Sequence, residues 1–266
     1  MSSQDLPEDP LERVLAIMAR LRDPEAGCPW DLRQTWETIV PHTLEEAYEV
    51  ADAISRRDFE AVRGELGDLL LQVVFYARIA EEEGRFDIQD VARTLAEKLV
   101  RRHPHVFADV RYDTEAEHHA AWEAEKARER VEAGEGRGPL DGVALALPAL
   151  TRAVKLQKRA ARVGFDWDGP GPVLDKVLEE FEEIRAEIEA EAPEARLRDE
   201  VGDLLFSVAN LARHLGVDPE AALRGTNARF EHRFRFMEQA LAAQGRRLED
   251  ADLQELDGLW EQAKQK

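Results

Sequence analysis

Two acidic quartets in the chain have the spacing of divalent-metal chemistry. In the first, Glu46 and Glu49 precede Glu65 and Asp68; in the second, Glu180 and Glu183 precede Glu200 and Asp203. Within each pair the residues lie three apart, so on a helix both carboxylates project from one face. Two such helices packed antiparallel point four carboxylates into one space, where they repel one another unless a cation neutralises them. Oxygen donors without histidine or cysteine favour a hard ion, Mg²⁺ with Mn²⁺ as a substitute. Mg²⁺ keeps open positions and commonly bridges to phosphate oxygens, which also explains how an acidic protein could bind an anionic substrate.

Acidic residues number 56 of 266. At that frequency one such quartet is expected by chance roughly 0.5 times per chain. The repetition is harder to ascribe to a solvated face. LEEAYEV at 44–50 resembles LEEFEEI at 178–184, and GELGDLLLQV at 64–73 resembles DEVGDLLFSV at 199–208. In both copies a glycine, Gly67 or Gly202, precedes the aspartate and two leucines follow it. A mid-helix glycine costs up to about 1 kcal/mol against alanine, so close packing or a ligand is expected there. Glu46 has a second role open to it, since Thr43 and Glu46 fit a helix capping box; Glu180, three residues after Val177, does not.

The elements that must position these groups read as helices throughout. Apolar residues recur at three- and four-residue intervals, as in Leu11, Val14, Leu15, Met18 and Leu21, and no segment alternates as a strand would. Asp58 opens a helix to about Glu83, and Asp87, with Asp90 at the capping-box position, opens another that lasts until Pro104. A basic amphipathic helix over 147–163 carries Arg152, Lys155, Lys158 and Arg159, read as solvated pairing more readily than phosphate contact. Further helices are predicted at 172–191, 194–215, 219–244 and 253–265, the last with Asp252 and Glu255 as a capping box. The run EAGEGRGP at 132–139 is a flexible connector. The chain therefore divides into a module at 1–131, a linker at 132–146 and a second module at 147–266: an all-α fold of tandem helical modules, each contributing to a four-helix-bundle arrangement.

Composition narrows the partners. Lys plus Arg total 36 against 56 Asp plus Glu, a net charge of −20 that disfavours a nucleic-acid polymer. Cys28 is the single cysteine, as suits a reducing compartment, and the N-terminal MSSQDLPEDPLERV lacks the basic and apolar regions of a secretory signal. No apolar run reaches membrane-spanning length, and the expectation is a soluble cytoplasmic protein.

At these residues the chain resembles the MazG family of nucleoside triphosphate pyrophosphohydrolases, in the full-length, two-module form. The resemblance is carried by GCPWD at 27–31, TLEEAYEV at 43–50, GELGDLLLQVVFYARIAEEEGRFD at 64–87, RRHPHVF at 101–107, KLQKRAARVGFDW at 155–167 and EVGDLLFSVANLARHLG at 200–216. It implies Mg²⁺-dependent hydrolysis of NTPs and dNTPs to the monophosphate and pyrophosphate, in nucleotide house-cleaning or control of signalling nucleotides. It implies a homodimer that completes the bundles, with catalysis in the second module and a supporting role for the first, whose quartet is a possible second metal site. Residue by residue it implies metal ligands at Glu180, Glu183, Glu200 and Asp203, and nucleotide contacts from Lys176, Arg229, Arg233, Trp260 and Lys264. Where the family often has Lys in KFERR this chain has Arg229, a fork in place of a point charge.

The residues themselves leave alternatives open. Arg229 and Arg233, four apart, can reach one phosphate from one helix face, or pair with neighbouring acids. Trp260 can stack on a base or fill a core. The post-motif segment of the first module, KLVRRHPHVF, is cut by Pro104 and should present its basic residues differently from ARFEHRFRFMEQAL. His103 and His105 read as structural. A di-iron carboxylate bundle would need two Glu-x-x-His motifs, and Glu115 with His118 supplies one outside both quartets. A non-enzymatic helical adaptor or dimerisation module accounts for the helices but not for the repeated quartets.

Overall fold

The structure, a computed structural model, describes residues 6–132, 134 and 138–265. The extreme N-terminus, read above for a targeting signal, and much of the glycine-rich connector lie outside the described residues. Every regular element among the described residues is helical, and no described helix is long and apolar enough to cross a membrane. The chain separates into two compact units, Met1–Glu125 and Lys126–Lys266.

The first unit runs α1 (Pro10–Leu21), α2 (Pro29–Leu32), α3 (Trp36–Ser55), α4 (Phe59–Glu82), α5 (Ile88–Arg102) and α6 (Pro104–Phe107), and α7 (Glu115–Glu132) crosses its boundary. Asp58 caps α4 through the Ala61 amide, and Asp87 and Asp90 form the reciprocal box that opens α5. The Thr43 capping box does not exist: α3 starts two turns earlier at the Thr35–Thr38 box, and Thr43 bonds back to the Ile39 carbonyl and to Tyr76 from inside the helix. Packing explains the earlier start. Ile39 is buried with Met18, Val74, Phe75 and Ile79, and Trp36 stacks on Tyr76 at 5.6 Å, which together outweigh the hydrogen bond lost at Pro41.

The second unit contains α8 (Ala149–Ala161), α9 (Pro170–Glu189), α10 (Glu194–His214), α11 (Pro219–Ala242), a 3-10 turn at Leu248–Asp250 and α12 (Leu253–Ala263). Asp252 caps α12 through the Glu255 amide; the Glu255 side chain turns instead to Arg246, so this end is a simple cap. Met237, Leu241 and Leu259 form a small core between α11 and α12.

In each unit the quartet rides on one tightly packed helical hairpin, α3 with α4 and α9 with α10. Both hairpins turn through a non-glycine residue in the left-handed region, Arg57 and Glu191, at corresponding places in the repeat. Such a residue costs roughly 1–2 kcal/mol and persists only where the flanking helices fix the turn. Both hairpins also leave large apolar side chains exposed, among them Val40, Leu44, Leu66 and Leu70 in the first and Leu174, Leu178, Leu205 and Phe206 in the second.

Candidate metal and nucleotide site

In the second unit, Pro170 starts α9 at its first turn and Pro193 immediately precedes α10, so these two helices begin where proline lets them. Their facing sides bring carboxylate oxygens of Glu180, Glu200 and Asp203 within 4.8 Å of one another. Glu180 and Glu200 are 5% and 8% exposed, while Asp203 lies at the open rim. Glu183 sits on the exposed side; desolvation, then the neighbouring Glu180, raises its carboxyl above the ordinary range. The donor set is all oxygen and two of its members are buried, a set that would suit a hard dication.

Each buried carboxylate has a cation one turn ahead of it. Lys176 Nζ lies 2.7 Å from Glu179 and 2.8 Å from Glu180, and Arg196 Nη2 lies 2.7 Å from Glu187 and 2.9 Å from Glu200. Glu179, then Glu180, holds the Lys176 ammonium protonated well above the usual lysine range. Arg196 was not among the residues the sequence singled out. Its i,i+4 spacing to Glu200 was the available signal.

The first unit repeats the carboxylates without these cations. Glu46, Glu49 and Glu65 converge within 4.8 Å, and desolvation, then Asp68, Glu49 and Glu65, raises the Glu46 carboxyl. The places of Lys176 and Arg196 are taken by His42 and Ala61, and His42 faces Glu45 at 3.7 Å rather than the quartet.

The glycines do not mark close packing within the chain. A Cβ built on Gly67 or Gly202 meets nothing within 4 Å, because the carboxylate face is open at that point.

The remaining residues expected to handle nucleotide fall into smaller groups. The Arg233 guanidinium lies over the Trp260 ring, 5.5 Å from its centroid, and Phe230 packs on the same ring at 5.3 Å. Arg229 donates to Thr226 Oγ1 at 2.8 Å, and Lys264 pairs with Glu261. These contacts join Arg233 to Trp260. On α8, Arg159 donates to the carbonyls of Pro139 and Asp141.

The first unit holds a counterpart of this pair that sequence reading missed. Arg102 lies over Trp122 at 5.7 Å, so Pro104 ends α5 without preventing the contact that Arg233 makes. The signal was present, since Trp122-Glu123 and Lys126 reproduce the spacing of Trp260-Glu261 and Lys264.

Comparison with known proteins bears on both units. The MazG nucleotide pyrophosphohydrolase domain matches residues 34–107 and again 170–235. A nucleoside triphosphate pyrophosphohydrolase of Escherichia coli (strain K12) is 53% identical over 255 residues, 96% of this chain and 97% of the relative. A nucleoside triphosphate pyrophosphohydrolase/pyrophosphatase MazG of Thermotoga maritima is 45% identical over 254 residues, 95% of each chain. A nucleoside triphosphate pyrophosphohydrolase of Mycobacterium tuberculosis is 39% identical over 155 residues, 58% of this chain and 46% of the relative.

Proposed function

The chain belongs to the MazG nucleotide pyrophosphohydrolase family, with two copies of its domain, and from that premise we propose that the second copy hydrolyses nucleoside triphosphates to monophosphate and pyrophosphate with Mg²⁺. The observation that carries the choice of copy is the pair of cations, Lys176 and Arg196, beside the buried carboxylates. Four ionised carboxylates and one dication leave two negative charges, which would repel a triphosphate. Lys176 and Arg196, shared with Glu179 and Glu187, offset part of that excess in the second copy, whereas His42 and Ala61 put no such cation beside the first quartet.

In this reading Glu180, Glu183, Glu200 and Asp203 hold the ion. Bound there, Mg²⁺ supplies charge neutralisation on the phosphoryl oxygens and orientation of the attacking water. Lys176 and Arg196, one turn ahead of the buried carboxylates, would turn donors toward phosphate. Arg233 keeps its guanidinium over Trp260, so base or sugar stacking and phosphate binding come from one rigid pair. Arg229 on α11 and Lys264 at the C-terminal end of α12 have short side-chain partners that an incoming phosphate can replace. The exposed apolar faces of the two hairpins support a homodimer in which paired hairpins complete four-helix bundles. The single cysteine and the reaction class suit a cytoplasmic enzyme of nucleotide house-cleaning or signalling-nucleotide control.

The test is hydrolysis of the eight common NTPs and dNTPs with Mg²⁺, with products identified, beside a Glu200→Gln, Asp203→Asn double variant. Monophosphate and pyrophosphate, lost in the variant, are expected. Orthophosphate as the product, or turnover that survives the double substitution, would overturn the assignment.

A further inference from the structure

The first unit contains a run of three imidazoles for which the hydrolytic reaction has no use. His103 ends α5, His105 lies in α6 and His118 lies in α7. His105 stands in the middle of the run, its ring centroid 4.4 Å from that of His118 and 5.7 Å from that of His103. Tyr112, from the segment between α6 and α7, packs on His105 at 5.7 Å and on His118 at 5.3 Å. Trp122 of α7 lies 4.9 Å from His103.

The ring nitrogens make this contact sensitive to protons. His105 Nδ1 and His118 Nε2 are buried without a hydrogen-bond partner. A neutral ring keeps a bare lone pair at such a nitrogen by carrying its proton on the other one; a protonated ring cannot, because both nitrogens are then donors. Protonation therefore buries a charged N–H with no acceptor, which costs more than the unpaired lone pair. His103 differs, since its Nδ1 lies 2.6 Å from the Leu99 carbonyl oxygen and has an acceptor in either state. Among the described residues the histidines that face carboxylates are His42 and His214, and none of these three does. The charged groups around the run give a proton no welcome either: Arg102 lies over Trp122, Arg101 pairs with Glu125 at 3.1 Å, and Glu117 accepts from the Asp113 amide. Desolvation, then His118 and His103, lowers the His105 imidazole below its ordinary range.

We propose that His105, held between His103 and His118, is a pH-sensitive latch: neutral, it docks α6 and the segment through Tyr112 onto α7, and protonated, it releases them. The released chain takes up the proton more readily than the docked one. The latch is therefore complete above the ordinary imidazole value near 6.5 and weakens as pH falls below it. It does not depend on the hydrolytic assignment, because both carboxylate hairpins lie on other helices.

The test is hydrogen exchange of the full chain between about pH 7.5 and about pH 5.5, corrected for the intrinsic pH dependence of amide exchange and read over residues 104–122. The amides of Val106, Phe107 and Ala108, bonded to the carbonyls of His103 and Pro104, report α6. Protection in this segment should fall by up to about tenfold per pH unit below the ordinary imidazole value, the limit for one linked proton, while α9 and α10 keep theirs. His105→Phe keeps an aromatic ring that cannot be protonated, and its protection should stay constant across the range. Should that variant lose helix by circular dichroism, His105→Gln takes its place; should both, the titration midpoint of a histidine ring resonance in the wild-type chain must match the midpoint of the exchange change. Unchanged protection in the wild type, a loss undiminished in a folded variant, a loss shared equally by α9 and α10, or midpoints that disagree would each overturn the proposal.

Discussion

Replacing Asp166 by asparagine should destabilise the second unit at neutral pH and matter progressively less in acid. Asp166 lies between α8 and α9 and binds the far end of α10, 3.0 Å from Arg213 Nη1 and 3.0 Å from His214 Nε2, with a further contact to Arg213 Nη2. The Arg213 side chain is only 11% exposed and donates also to the buried Asn210. Arg213 above all, with the Trp167 amide and His214, brings the Asp166 carboxyl down from 3.8 to about 2. That separation corresponds to about 2.4 kcal/mol. Discounting for the part of the carboxylate that meets solvent leaves about 1–2 kcal/mol. The unfolded chain holds its proton more readily, so this stability is complete above the unfolded value near 4. It drains away as pH falls toward about 2. Urea unfolding of the full chain, followed by far-UV circular dichroism, should show a gap between wild type and Asp166→Asn at neutral pH that closes between about pH 4 and pH 2. A gap that is absent at neutral pH, or unchanged across that window, would refute the reasoning. Because Asp166 ties the approach of α9 to α10, the variant should also require more Mg²⁺ for half-maximal turnover at nearly unchanged kcat.

Glu183→Gln should abolish hydrolysis while Glu49→Gln leaves most of it, as read by pyrophosphate release; the reverse result would move the activity to the first unit. Gly202→Ala should raise the thermal midpoint, since helix propensity gains up to about 1 kcal/mol and a Cβ there meets nothing within 4 Å. Turnover should nonetheless fall, because the open face is where substrate or an opposing helix arrives, and unchanged turnover would leave the glycine without a functional role. Placing His42→Lys and Ala61→Arg together in a chain whose turnover is stopped by Glu183→Gln should add a further equivalent of bound triphosphate over the Glu183→Gln chain alone, measured by calorimetry with Mg²⁺. No gain would show that more than charge separates the two copies.

Much of this was legible in sequence because it is local or repeated. The caps at Asp58 and Asp87 were readable from single positions, and the quartets declared themselves by recurring. Thr43 misled because its spacing to Glu46 imitates a cap just after Pro41, whereas the real start was chosen by the burial of Ile39 and the stacking of Trp36, which are long-range facts. Of the two reasons expected for Gly67 and Gly202, close packing within the chain is absent and a ligand remains, since propensity says that a glycine is costly but not which partner makes it worthwhile. The ring contact between His105 and His118 was not visible in sequence. His103 and His105 are adjacent in sequence, but nothing in the spacing of Glu115 and His118 says that α7 returns to lay His118 against His105.

The two copies also show which features of the repeat carry geometry and which carry charge. Both retain the acidic hairpin, the left-handed non-glycine turn at Arg57 or Glu191, and an arginine laid over a tryptophan on a following helix. Those features set where groups stand, and they are the same. The copies part at His42 against Lys176 and Ala61 against Arg196, positions exposed enough to change without disturbing any core. A scaffold that keeps its shape while exchanging two cations makes the field at the carboxylates less negative in the second copy, which on the proposed reading lowers the repulsion of a triphosphate there. On the proposed reading, a difference in activity between the units would follow from electrostatics laid over a common fold.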